Sequence, residues 1–328
     1  FVSAGGTEDA YLTVNTSLIG SGTPSKTIWR VSFPSQSGAD YNVKATGSAT
    51  SGYWWFEDWT GNFGGEDYDK DVSAAPGEIR WEAMPITVSG YVYLNEGQTT
   101  STDGWTVSLV VDGTWTASTT ASTTNGSYSF SNITSTSGIT LTVYLDNSAG
   151  KGVTITRSAG SNLSGLNIYQ NRIITRHEDS GPITISDLDK YDSVQDPDIL
   201  YTASSTPATL TASSTSEFFV WSGDEFRAGP AAGTISLSDL DIRGTFTATS
   251  SQNIELYCNG GFTNASCWYN SGSFKSASST VKFIGTTTGN SISGNLSGAN
   301  SFWKLEFNGA GASWTIASST MVKAPNAT

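Results

Sequence analysis

Polar and apolar residues alternate along much of this chain, as in Thr27-Ile28-Trp29-Arg30-Val31-Ser32-Phe33, in residues 105–111 and in Ile139-Thr140-Leu141-Thr142-Val143-Tyr144-Leu145. A period of two turns one face of each segment to a core and the other to water, and β-branched and aromatic side chains suit that pleated surface. No window repeats apolar residues at three and four positions, so helix is nearly absent from the expectation. The pattern predicts an all-β chain: tandem β-sandwich modules followed by a β-solenoid-like or further β-sandwich C-terminal region.

Texture divides the chain into four stretches. Residues 1–85 are the most aromatic and end where Met84-Pro85 interrupts any continuing strand; they predict a first sandwich. Residues 86–170 predict a second. Residues 171–200 turn charged and read as an acidic connector. In residues 201–328 the string Ala-Ser-Ser-Thr recurs at Ala203, Ala212, Ala277 and Ala317, and Gly244-Thr245-Phe246 is answered by Gly272-Ser273-Phe274. Recurrence with short strands and Gly or Asn corners is the mark of a solenoid, whose coils must stack to bury their inner faces.

Two stretches carry resemblances. Val88-Ser89-Gly90-Tyr91-Val92, followed by an expected hairpin at Asn125-Gly126-Ser127-Tyr128-Ser129-Phe130, resembles the prealbumin-like, or carboxypeptidase regulatory-like, sandwich. That family opens on V-x-G-x-V and later shows D-G-x-Y-x-F, with Asn125 here in place of the usual Asp. The resemblance implies a structural spacer or adhesive unit. Residues 292–316, through Phe302-Trp303-Lys304-Leu305-Glu306-Phe307, resemble repeats of very large secreted surface proteins of uncultivated bacteria.

Composition narrows the partners. The 328 residues are 37% hydrophobic and only 14% charged, with 16 basic against 29 acidic residues and a net charge of -13. Such a field repels phosphate backbones and anionic headgroups, which argues against nucleic acid. No apolar run reaches the roughly 18–20 residues of a spanning helix, which argues against membrane insertion, and a first residue other than Met suggests a removed leader. Cys258 and Cys267 bracket a short Gly-rich segment that can fold back on itself, so a local disulfide is expected, with two buried thiols as the alternative. An extracellular or cell-surface setting follows.

Several constellations could carry chemistry. Trp54, Trp55 and Trp59 stand among carboxylates and could stack on sugar rings, form a subunit contact, or fill a core. Asp58, Asn62, Glu66, Asp67, Asp69 and Asp71 crowd a Gly-rich loop and offer the hard oxygen ligands calcium takes, although the spacing fits no EF-hand. Asp187, Asp189, Asp192, Asp196 and Asp198 are a second such group; a solvated acidic loop accounts for either. No cofactor is required, and calcium is the candidate. His177 is the single histidine, no nucleophile elbow accompanies it, and the chain is read as a non-enzyme. Asn15, Asn125, Asn132, Asn162, Asn264, Asn295 and Asn326 each open an N-x-[ST] glycan acceptor triplet.

These readings favour a structural subunit of an extracellular filament or cell-surface layer that self-associates head to tail by β-strand addition. The expected assembly strand is terminal: Phe1, Val2, Tyr11, Leu12 and Val14 at one end, or Met321 and Val322 at the other. The alternative is a carbohydrate-binding adhesin that holds surface polysaccharide at Trp54, Trp55 and Trp59.

Overall fold

A computed structural model describes residues 85–96, 99–229, 233–259 and 267–317 in full, and residues 53–55 and 78–80 as backbone strands. The chain divides into two units, Phe1–Pro85 and Ile86–Thr328. In the first, Tyr53–Trp55 pairs antiparallel with Glu78–Arg80. The expected 1–85 sandwich, the Asp58–Asp71 acidic loop, Trp59 and both candidate assembly segments lie outside the described residues, as do the side chains of Trp54 and Trp55.

Within the second unit, residues 86–170 form two sheets across one apolar core. Ile86–Tyr93, Ser127–Ile133 and Ile168–Tyr169 make one sheet. Thr106–Val111, Thr114–Thr120, Ser137–Leu145 and Val153–Ala159 belong to the other. Val88, Val92 and Phe130 face Leu109, Leu141 and Val143 in a single buried cluster. Gly90 lies opposite Tyr128, and a Cβ at Gly90 would stand 2.2 Å from the Leu166 carbonyl oxygen, which accepts the Tyr128 hydroxyl. The glycine is therefore required by close approach rather than by conformation.

The turn chemistry differs from expectation. Asn125-Gly126 closes no hairpin; it carries the chain from Thr114–Thr120 in one sheet to Ser127–Ile133 in the other. Asn125 Oδ1 accepts the Ser127 N–H at 3.1 Å, and Gly126 takes φ +68°. The two-residue hairpin is Asp112-Gly113, both at positive φ (+48° and +81°), which joins Val111 to its partner Thr114. A turn of that kind matches the twist of the strands it links.

No boundary falls at 170 or at 200, because Ile86–Thr328 is one unit. Arg172–Thr175, expected in a connector, pairs in parallel with Val153–Ala159 and so continues that sheet into a β-solenoid. Glu217–Val220, Asp239–Ile242, Trp268–Asn270, Asn290–Gly294 and Trp314–Ile316 follow in order, making ten strands in all. This is the solenoid's first face. The second face has four strands, from Ile183–Thr184 to Ser273–Lys275, and the third has six, from Tyr201–Ser205 to Lys304–Phe307.

Stacking in register aligns like with like. Phe218, Leu240, Trp268 and Ile292 form one inward column, Phe226, Phe246 and Phe274 a second, and Leu210, Ile235, Ile254, Val281 and Leu305 a third. All are buried. The Gly-Thr-Phe and Gly-Ser-Phe strings thus sit one above the other. Two of the Ala-Ser-Ser-Thr copies do not stack: those at Ala203 and Ala212 lie in strands that pair antiparallel within one coil. Cys258 and Cys267 are disulfide-bonded across a corner, with Cα atoms 4.8 Å apart.

Candidate binding cleft

Alternation on the first face points Ile173, Phe218, Val220, Leu240 and Ile242 inward, which leaves Arg172, Ile174, Glu217, Phe219, Asp239 and Asp241 on the other side of the sheet, where they too are buried. Tyr169 and Glu96 meet that surface from the neighbouring sheet and from the turn after Ile86–Tyr93. Together they enclose a cleft of about 190 Å³, walled by Glu96, Tyr169, Arg172, Phe219, Trp221 and Arg243 among others.

One wall is aromatic. Tyr93 and Tyr169 stack with centroids 5.1 Å apart, Trp221 lies 6.2 Å from Tyr169 and 5.6 Å from Phe219, and the Arg176 guanidinium stands 5.7 Å from the Trp221 ring centre. The other wall is ionic. Arg172 donates through Nε to Glu217 at 2.8 Å and pairs with Glu96 at 3.0 Å; Arg243 donates to the same Glu96 carboxylate and to Asp241 at 2.9 Å. The Arg243 guanidinium also lies 4.7 Å over the Phe219 ring.

Burial dominates the electrostatics. Glu217 is 2% exposed. Desolvation pushes its carboxyl up to about 8 against the pull of Arg172, and Asp241 is displaced upward for the same reason. An acid that holds its proton more tightly in the folded state stabilises the fold fully below its unfolded value. That contribution is lost as pH climbs from about 4.5 toward about 8. Glu217→Gln should therefore melt close to the native chain at pH 5 and several degrees above it at pH 9, as read by calorimetry. Equal offsets at both pH values would show that Glu217 is ionised in the fold.

The other candidate residues are committed to structure. His177 Nδ1 is placed to donate to the Asp179 carbonyl at 2.8 Å, and Nε2 accepts the Glu225 N–H at 3.1 Å. These bonds fit the Nδ1–H tautomer and tie the first coil to the second. The acidic residues of 187–198 cap backbone and hydroxyl donors. Asp187 closes the box over Thr184 and starts the short helix Ile185–Leu188. Asp189 accepts from Ser205, Asp192 from Val194 and Ala203, and Asp196 from Asp198 and the Tyr144 hydroxyl. Asp198 accepts from Asn147 and Lys151. Oxygens of Asp146, Asp196 and Asp198 come within 4.8 Å of one another, as do those of Glu96, Glu217 and Asp241.

Of the glycan acceptors, Asn125, Asn132, Asn162 and Asn295 are exposed, while Asn15, Asn264 and Asn326 lie outside the described residues. Glu96, Tyr169, Trp221 and Arg243 escape sequence reasoning. They are scattered over roughly 150 positions and meet only once the coil register is known. No helix among the described residues is long and apolar enough to cross a membrane. Compared with family models, curated proteins and solved structures, the chain matches none of them.

Proposed function

We propose that this chain is a structural module of an extracellular filament or cell-surface layer, joined to its neighbours by strand addition along the ten-stranded sheet. The carrying observation is that sheet's two edges. At one, Asn290 N–H donates to the Ser313 carbonyl and Ala317 N–H to that of Ile292, so the N–H groups of Trp314 and Ile316 point away from the sheet. Trp303, Phe307 and Ile316 are exposed on the same coil. At the other edge lies Thr114–Thr120, seven residues rich in Thr, largely exposed and lacking the Lys or Pro that commonly blunts an edge.

An edge of one copy meeting the opposite edge of the next makes a contact that does not close on itself, and hence a fibre. The disulfide and the hydroxyl-rich surface suit an oxidising, extracellular setting. The prealbumin-like resemblance of residues 86–170 is consistent with a spacer that seals the first coil. A non-catalytic reading rests on His177, whose two ring nitrogens are already engaged, and on Glu217, which is buried and off the cleft wall.

Ile316→Pro removes an outward N–H while leaving the inward bonds on either side, and Thr116→Lys places a charge on the opposite edge. Each should abolish fibres in negative-stain images and leave monomers by light scattering, with circular dichroism unchanged. Native protein that stays monomeric at high concentration, or variants that polymerise as before, would remove the proposal.

A further inference from the structure

The geometry points to a second role: the cleft beside Trp221 binds one ring of a neutral hexopyranose polysaccharide. This does not rest on the assembly reading, because the cleft lies away from both sheet edges in sequence and uses none of their residues.

A pyranose presents an apolar C–H face and a rim of hydroxyls, and the two walls match that division. Trp221 offers the ring face. Tyr169 and Phe219 pack close to it, and the Arg176 guanidinium lies over one face of the ring, so the indole is fixed before any ligand arrives and the cleft is left the remaining face. Opposite, the Glu96 carboxylate is held by two guanidiniums at once, Arg172 through one oxygen and Arg243 through the other. A carboxylate gripped this way keeps lone pairs to accept from a sugar hydroxyl. Arg243, one third exposed, uses Nε and Nη2 for Asp241 and Glu96 and has no partner for Nη1 among the described residues. An acceptor and a donor on adjacent fixed groups fit a pair of vicinal hydroxyls.

Charge selects the class of sugar. The guanidiniums of Arg172 and Arg243 face the carboxyls of Glu96 and Asp241, and Arg176 beside Trp221 is paired with Glu178 at 2.6 Å. The balance is not cationic, and the chain as a whole carries -13. A uronate or sulfated chain is therefore disfavoured against a neutral one. Size limits the subsite: about 190 Å³ accommodates a single ring, with the exposed Ser222 at the mouth leaving room for the chain to continue.

The test is affinity electrophoresis and calorimetric titration of the full chain against dextran, mannan and galactan, with polygalacturonate as the anionic counterpart. At least one neutral polymer should bind, and polygalacturonate should not. Trp221→Ala, which removes the platform, and Ser222→Trp, which blocks the mouth without deleting a wall, should each weaken binding at least tenfold. Thermal melting identifies any variant that fails to fold, and Ser222→Trp keeps the test decisive if Trp221→Ala does. No binding to any neutral polymer, binding to polygalacturonate alone, or neutral binding that survives Ser222→Trp overturns the assignment. The edge variants Ile316→Pro and Thr116→Lys should bind the neutral polymer like the native chain, so loss of assembly and loss of sugar binding are read separately.

Discussion

Trp268→Ala is expected to cost about 3–5 kcal/mol, the range for removing a large buried aromatic, and to lower the melting temperature by roughly 10 °C. The ring is fully buried and centres three others, Phe274 and Phe302 at 4.9 Å each and Phe283 at 6.5 Å, with Leu240 as the next member of its column. Parallel coils cannot close over the void one at a time, since each is hydrogen-bonded to its neighbours above and below. The indole N–H has no hydrogen-bond partner among the described residues. Trp268→Phe should therefore cost far less than Trp268→Ala, because it keeps most of the volume and deletes an unsatisfied donor. Urea unfolding followed by far-ultraviolet circular dichroism measures both. A loss below about 1 kcal/mol for the alanine variant would mean that the coil interior is not packed at this level.

Gly272→Ala is the second large effect, and its cause is backbone against backbone. A Cβ on Gly272 would lie 2.0 Å from the Gly244 carbonyl oxygen and 2.6 Å from that of Arg243. Gly244 in turn is crowded by the carbonyls of Trp221 at 2.1 Å and Asp224 at 2.2 Å. These glycines stack at the corner between the first and second faces, where Gly272 N–H donates to Ile242 and Ser273 N–H to Gly244. No side chain can rotate away to relieve the contact, so alanine must push two coils apart and lengthen those bonds. A cost of about 3 kcal/mol or more follows, at the upper end of what overpacking brings. If the variant unfolds at the same urea concentration as the native chain, the coils are not in such close contact.

The all-β character and the solenoid were legible because alternation and recurrence are local. Gly244-Thr245-Phe246 and Gly272-Ser273-Phe274 resemble each other for a physical reason: both place a small residue at one corner and a phenylalanine in one column. The coil period was not legible, since the step from Phe226 to Phe246 is 20 positions and from Phe246 to Phe274 is 28. Corner loops vary in length while the strands stay in register. Asn125-Gly126 and Asp112-Gly113 carry the same turn chemistry, and only long-range pairing decides which of them closes a hairpin. The charged stretch 171–200 reads as solvated until each aspartate is matched to its donor, most of them distant in sequence, as with Asp187 and Thr140 at 2.7 Å. The cleft was hidden for the same reason.

The parallel pairing of Ile173 with Val153 has a consequence for how the molecule comes to exist. A first coil has no template of its own and must order its residues with little return, which is the unfavourable step in any stacked array. Here the lobe that precedes it in the chain presents a finished edge, so nucleation is transferred to a compact body and later coils need only zip onto it in turn. Such an object matures from its amino end toward its carboxyl end, the direction in which a polypeptide leaves the ribosome.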